Sequence, residues 1–98
     1  HEVDIRAEPV NEVHLVYPEQ AYMKRIRGRV VLRIFINDQG TIDDVSVLES
    51  TPPGVFEEAA LTATLALQFK PAIRNGRSVK SYKTIEVVFD PYESIHIP

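Results

Sequence analysis

Several kinds of residue and segment are missing from this sequence. It has no cysteine, which excludes a disulfide framework, a thiolate metal site and a cysteine nucleophile. No apolar run approaches the roughly 18 residues expected of a membrane-spanning helix. The net charge of −3 is too small to indicate nucleic acid or an anionic membrane as the main partner.

Patterns typical of metal binding and catalysis are also missing. His1, His14 and His96 are too scattered for the spacing of metal ligands. Asp43 and Asp44 are adjacent in a predicted strand, so their side chains point to opposite faces and cannot converge on one substrate. No serine lies in a nucleophile-elbow motif. We therefore expect no metal, no cofactor and no enzymatic activity.

The composition supports one folded domain. Hydrophobic residues make up 44% of the 98 residues, which is enough for a core, and the length suits one domain rather than two. The chain begins with His1 rather than methionine, so we expect a fragment or a processed chain. Residues 1–16 are expected to form an extended lead-in, in which Val3 and Ile5 alternate with charges as in a short edge strand.

Residues 28–50 predict a β-hairpin. Apolar residues at alternate positions from Val30 to Ile36 share one face of the first strand. Gly40 supplies the positive φ that the turn requires. Val45 and Val47 then resume an apolar face in the second strand.

Two helices flank this hairpin in the predicted order. The first opens at Tyr17-Pro18, because proline suits the first turn of a helix, and Gly28 is placed at or just beyond its C-cap. The second is predicted from Val55 to Phe69 and ends before Pro71, which cannot continue a helix. The predicted buried stripe of the second helix is Phe56, Ala60, Ala63 and Leu67.

Residues 79–89 predict the last strand, and Asn75-Gly76 before it is typical of a turn. In this strand the apolar residues from Ile85 to Phe89 alternate and share one face. The order helix, strand, strand, helix, strand predicts an α+β two-layer sandwich, with a three-stranded antiparallel sheet and two helices on one face. The opposite sheet face is left open, and the candidates for it are Phe35, Leu48, Tyr82 and Val88.

Short motifs shared with one known family occur in order along the chain. They are Tyr17-Pro18 with Ala21; Gly28, Val30, Leu32 and Ile34; Gly40, Ile42, Val45 and Ser50; Phe56, Ala59, Ala60 and Ala63; Phe69, Pro71 and Ala72; and Gly76 with Val79. Together they resemble the C-terminal domain of the TonB family, the energy transducers of Gram-negative bacteria. Ile34 departs from the family's usual aromatic residue, and Leu67 stands where the family often has tryptophan. The resemblance covers residues 17–89.

The resemblance implies a periplasmic domain, over residues 17–90, with a tail over residues 91–98. In this family an N-terminal helix, absent from this chain, anchors the protein in the inner membrane, and the ExbB–ExbD motor energises it. The domain binds the TonB box, a short segment of outer-membrane receptors that import siderophores, vitamin B12 or glycans. It takes the box as an extra strand beside its own last strand and transmits force to the receptor.

The resemblance therefore implies a partner-binding site on the free edge of the last strand. Strand addition uses unpaired backbone groups at an exposed edge, and no proline interrupts residues 79–89. The lysines of this strand would also suit an acidic box segment. The family's best-known members carry a Gln-Pro stretch where this chain has residues 14–16. The predicted partner-binding residues are Tyr17, Pro18, Lys80, Ser81, Tyr82, Lys83, Thr84, Ile85, Glu86, Val87 and Val88.

The residues also leave other interpretations open. The last strand is compatible with an ordinary protected edge or a central position. Tyr17 is compatible with packing on the core, with its hydroxyl at the rim, instead of contacting a partner. Leu61 and Leu65 either widen the buried face of the second helix or contact the N-terminal segment or a second subunit. The alternative function is a TolA-like module, or a homodimeric one, with an interaction role in the cell envelope.

Overall fold

The computed structural model describes residues 4–93. It alternates short strands with two helices, and the three longest strands form the main sheet. In chain order the elements are β1 (Glu8–Pro9), α1 (Glu19–Met23), β2 (Gly28–Ile36), β3 (Ile42–Thr51), α2 (Glu57–Leu65), β4 (Phe69–Lys70), β5 (Ala72–Arg74), β6 (Arg77–Val79) and β7 (Ser81–Phe89).

The main sheet has three antiparallel strands in the order β3-β2-β7. The alternate residues from Val30 to Ile36 are at most 1% exposed, as their pattern predicts. Both helices cover this face, since Ala21 of α1 and Ala60 of α2 share one core cluster with buried residues of β2 and β7. The predicted α+β sandwich is thus confirmed. The sequence pattern does not predict two further two-stranded sheets, β1-β4 and β5-β6.

An aromatic cluster joins the helices to the end of β7. Phe56 and Phe89 are fully buried and stack with ring centroids 4.3 Å apart and planes at 19°. Tyr17 meets both rings edge-on, at 5.6 Å from each centroid. Gly28 lies against this stack, and a Cβ atom there would be 2.3 Å from a carbon of the Phe56 ring. The cluster therefore excludes a side chain at residue 28.

The first helix ends earlier than predicted. α1 has five residues, and Gly28 is the first residue of β2. Arg25 takes the capping position instead, with φ of +57°, and the N–H of Ile26 donates to the carbonyl of Ala21 at 2.9 Å. This is the long hydrogen bond of a Schellman motif. The prediction of Gly28 as the helix cap is wrong, because packing against the aromatic stack, not capping, requires that glycine.

The second helix is also shorter than predicted, although its predicted stripe is buried. α2 ends at Leu65, and Phe69 begins β4, which pairs with β1. The N–H of Phe69 donates to the carbonyl of Gly40 at 3.2 Å, a bond that a helix reaching Phe69 could not make. The pairing of Phe69 with β1 and Gly40, rather than Pro71, therefore determines where α2 ends. Beside the stripe, Leu61 packs on the core and Leu65 is 62% exposed.

The predicted last strand divides in two. Val79 pairs with Ala72 in the β5-β6 hairpin, whose turn residues Asn75 and Gly76 have φ of 52° and 74°. Two positive φ values are typical of a type I′ turn, so the turn prediction is confirmed. Lys80 lies between β6 and β7. It is not part of the long strand, because the strands on its two sides belong to different sheets.

The lead-in packs along the domain. Ile5 forms an isolated antiparallel bridge with Ile73, and β1 pairs with β4. Ala7 and Leu15 are only 4% and 6% exposed, so this segment contributes to the core. Val3, the other residue predicted for a short edge strand, lies outside the described residues, as do residues 94–98 of the tail.

Gly40 is required both for its conformation and for its lack of a side chain. Its φ is +84°, and a Cβ atom would lie 2.0 Å from the carbonyl oxygen of Phe69. We expect Gly40→Ala to lower the free energy of unfolding by more than about 3 kcal/mol, measured by urea denaturation. In the control Gly76→Ala, φ is +74° but nothing lies within 4 Å. The free energy of unfolding of Gly76→Ala should fall by only about 1 kcal/mol. Equal decreases in the two variants would contradict the steric argument.

Thr64 of α2 is fully buried, and its hydroxyl has no hydrogen-bond partner within residues 4–93. Valine keeps the shape and removes the unsatisfied polar group. We expect Thr64→Val to raise the free energy of unfolding by about 1 kcal/mol, measured by thermal and urea unfolding. The exposed Thr62 is the control, and Thr62→Val should change stability by less than about 0.5 kcal/mol. A loss of stability in Thr64→Val would show that the hydroxyl is satisfied after all.

Candidate partner-binding edge

β7 is an edge strand with one side open. Its nine residues pair with β2 from Gly28↔Phe89 to Ile36↔Ser81 without any shift of register. Within residues 4–93, no other strand pairs with its far side. The strand therefore presents a straight row of backbone groups on that side.

The hydrogen bonds of the neighbouring hairpin show which groups of β7 point outward. The N–H of Asn37 donates to the carbonyl of Thr41 at 2.9 Å, so odd-numbered residues of β2 direct their backbone groups toward β3. Even-numbered residues of β2 then face β7, because backbone direction alternates along a strand. Their partners in β7 are the odd-numbered residues. The outward N–H and C=O groups thus belong to Tyr82, Thr84, Glu86 and Val88.

The opposite edge of the sheet is less regular. β3 is ten residues long, but its pairing with β2 shifts register twice, between Val31 and Leu32 and again between Phe35 and Ile36. Bulges of this kind bend and twist an edge and interrupt its row of hydrogen-bonding groups. Of the two outer strands, β7 is therefore the better template for an added strand.

The solvent face beside the open edge carries aromatic and charged side chains. Tyr82 is 65% exposed, and the Arg33 guanidinium lies 5.1 Å from its ring centroid. Glu86 accepts a hydrogen bond from Arg29 at 2.7 Å, and Glu49 pairs with the same arginine at 3.1 Å. These two carboxylates, Glu86 first, raise the pKa of Arg29 above its ordinary value. As predicted for the open face, Phe35, Leu48, Tyr82 and Val88 are all exposed.

The remaining residues of β7 that were predicted to bind a partner face the core side of the sheet. Val87 is fully buried and Ile85 packs against the core. The ammonium of Lys83 donates to the carbonyl of Ala7 at 3.3 Å, which ties the lead-in to this strand. Ser81, at the start of β7, has a buried hydroxyl without a partner among the described residues.

Tyr17 lies at the other end of β7. Its ring packs in the aromatic cluster, and its hydroxyl donates to the carbonyl of Ile26. Burial of the ring, and then the carboxylate of Asp90, raise the pKa of the phenol above its ordinary value. Pro18 precedes α1 as its N-cap residue. The structure thus separates Tyr17 and Pro18 from residues 80–84 by the length of the strand, and a partner contact at Tyr17 stays a prediction.

Sequence reasoning missed Arg6 and Arg74. With Lys80 and Lys83 they line a groove of about 950 Å³ at the start of β7. No sequence signal identifies the two arginines, because one lies in the lead-in and the other in a hairpin that the pattern does not predict as strands.

The remaining chemistry of the described residues is sparse. Among residues 4–93, no group of histidine, aspartate and glutamate side chains is arranged to hold a metal ion. Neither described helix has the length and apolar character needed to cross a membrane.

The family model of the Gram-negative bacterial TonB protein C-terminal region matches residues 13–91. The chain belongs to this TonB C-terminal family. A curated relative, protein TonB of Pseudomonas aeruginosa, is 36% identical over 69 residues, which cover 70% of this chain and 20% of the relative. The chain thus spans only about a fifth of that TonB protein.

A solved TonB structure has the same fold. The solution NMR structure of the Pseudomonas aeruginosa TonB CTD matches with a TM-score of 0.75 and 31% identity, covering 92% of this chain and 91% of that one. The resemblance drawn from the sequence motifs is therefore confirmed at the level of family and fold.

We expect Tyr17→Phe to lower the free energy of unfolding by about 1 kcal/mol near neutral pH, because the Ile26 carbonyl loses its donor. The phenol pKa is raised in the folded protein, so the stabilisation by the neutral phenol is fully present below the unfolded-state pKa of about 10. It is lost as the pH rises through the folded-state pKa. Urea denaturation of wild type and Tyr17→Phe should show that the difference between their free energies of unfolding narrows above about pH 10. A gap that stays constant would contradict this role.

Proposed function

We propose that this chain is the periplasmic domain of a TonB-type energy transducer and binds the TonB box of an outer-membrane receptor as an additional strand on β7. The observation that carries the proposal is the open side of β7, which is nine residues long and, among residues 4–93, pairs only with β2 and without a register shift. Each outward residue offers one N–H and one C=O, so affinity comes mainly from the backbone. The receptor's cargo is a siderophore, a vitamin or a glycan in this proposal.

The direction of load supports the same edge. A box strand lying along Tyr82–Val88 would be pulled roughly parallel to β7, so its hydrogen bonds would be loaded together rather than one after another. β7 itself is held by the ladder to β2 and by buried Val87 and Phe89. The edge is therefore anchored in the core that must resist the force. ExbB and ExbD act, in this proposal, through a part of the protein outside this chain.

A titration tests the proposal directly. The isotope-labelled chain is titrated with a synthetic peptide carrying the TonB box of a receptor from the source organism, and amide shifts and hydrogen exchange are followed by NMR. We expect shifts along Ser81–Phe89. New protection from exchange should appear at Tyr82, Thr84, Glu86 and Val88, whose N–H groups point outward. Shifts confined to β3 or to the helices, or no shifts with any such peptide, would overturn the proposal.

Thr84→Pro removes one outward N–H and leaves the ladder to β2 intact, because proline is tolerated where the N–H faces solvent. We expect it to weaken binding of the same peptide by at least about tenfold, measured by calorimetry. Val47→Pro is the control, since alternation directs the N–H of Val47 away from β2 on the opposite edge. Its affinity should stay within about twofold of wild type, and an equal loss in both variants would contradict binding at β7.

A homodimer is the second candidate, and the exposed Phe35, Tyr82 and Val88 beside the open edge favour it. Two copies would pair β7 with β7 and so occlude the site. Sedimentation velocity at micromolar concentration, with and without the peptide, separates the two functions. A monomer that binds the peptide supports receptor binding, and a stable dimer that competes with the peptide supports the homodimeric module.

A further inference from the structure

A basic groove lies between the lead-in and the start of β7. Its volume is about 950 Å³. One wall is the lead-in at Arg6 and Ala7, another is the β5-β6 hairpin at Arg74, and the third is the beginning of β7. The lining residues of β7 and the link before it are Lys80, Ser81, Tyr82, Lys83 and Thr84.

The charge of the groove differs from that of the chain. Four cationic residues, Arg6, Arg74, Lys80 and Lys83, line it, and no acidic residue of the part of the chain that the structure describes does, although the net charge of the chain is −3. Within residues 4–93, none of the four takes part in a salt bridge, and the carboxylate beside the groove is that of Asp4, which accepts a hydrogen bond from the N–H of Asn75 at 2.8 Å. Four cations against this one carboxylate leave a local excess of positive charge, which would attract an anionic ligand.

The β5-β6 hairpin adds to this concentration of positive charge. Arg74 and Arg77 are directly opposite each other on either side of the Asn75-Gly76 turn. Like charges at directly opposite positions in an antiparallel pair are destabilising. The Asp4 carboxylate lies at this turn, and a further carboxylate bound beside Arg74 from the groove would offset more of the repulsion between the two arginines.

The groove is continuous with the open edge. Tyr82 and Thr84 line the groove and also supply the first two outward N–H groups of β7. A chain paired with Thr84–Val88 and extended past Thr84 therefore runs directly into the groove. The groove and the edge thus suit neighbouring parts of one extended peptide.

We infer that this groove binds an acidic segment of the partner chain, adjoining the segment that pairs with β7. This inference rests on the proposed function, because it takes that pairing as the anchor. The ligand class is a peptide carrying consecutive Asp or Glu residues at the end of its strand nearest Ser81. Arg6 and Arg74 are the specificity residues, since neither belongs to the edge strand, and both are exposed.

The experiment uses one neutral box peptide and versions extended by Asp-Asp-Glu or by Asn-Asn-Gln at either terminus. We expect the acidic extension at one terminus to tighten binding about tenfold over its neutral counterpart at about 0.05 M salt, by calorimetry. The gain should largely disappear at about 0.5 M salt, because exposed charges are screened. In the double variant Arg6→Gln/Arg74→Gln, the acidic peptide should bind only about twofold more tightly than its neutral counterpart.

The control is Lys24→Gln/Arg27→Gln, which removes the same charge at the other end of β7. Arg27 lies next to Gly28, the partner of Phe89, and is at least about 17 Å along the strand from the groove residues of β7, of which Thr84 is the nearest. That distance exceeds the Debye length of about 14 Å at about 0.05 M salt, so the control should retain the gain in affinity. Thermal unfolding of each variant confirms that it is folded.

The outcomes separate the inference from the proposed function. If the neutral peptide binds at β7 and neither acidic extension tightens binding, the groove inference is overturned and the proposed function stands. The inference is also overturned if both double variants lose the increase in affinity equally. The acidic extension would then be attracted by the charge of the whole protein and not by the groove. If only acidic peptides bind, Arg6→Gln/Arg74→Gln abolishes that binding, and no new exchange protection appears at Glu86 and Val88, the peptide binds without pairing to β7, which overturns both the proposed function and the inference that rests on it. Binding of no peptide overturns both.

Discussion

Phe56, at the start of α2, stacks on Phe89, at the end of β7, and neither ring is exposed. This contact requires the missing side chain of Gly28, at the point where β2 begins to pair with β7. Tyr17 closes the stack from the edge. The second helix, the central strand and the last strand are therefore fixed relative to one another by one aromatic contact. That contact holds one end of β7, and with it one end of the open edge, in the core.

The two outer strands of the sheet differ in how regularly they pair with the central strand. β3 breaks register twice, which protects its edge against pairing with other chains. β7 keeps register over nine residues and carries no bulge. A protein with two regular edges would invite uncontrolled strand pairing. Here one edge is blunted by geometry and the other is left available, as the proposed addition of a strand requires.

The lead-in changes the surroundings of that edge. Ile5, β1 and the Lys83–Ala7 hydrogen bond attach residues 4–9 to the C-terminal half of the chain. These contacts place a basic groove beside the start of β7. The proposed recognition surface thus combines a backbone edge, which would tolerate many sequences, with a cluster of charges, which would favour some sequences over others. In that proposal the first property would supply affinity and the second selectivity.

The sequence alone determined the features that depend on local pattern. The alternation in β2, the stripe of α2, the Asn75-Gly76 turn and the TonB motifs each reflect a short-range rule, and the structure agrees with each. The tertiary structure decided where elements end: Phe69 leaves the helix because Gly40 and β1 offer it hydrogen-bonding partners. It also decided which backbone groups of β7 remain open, and it brought Arg6 and Arg74 to Lys83. Such features arise from contacts between residues far apart in sequence, and no local pattern records them.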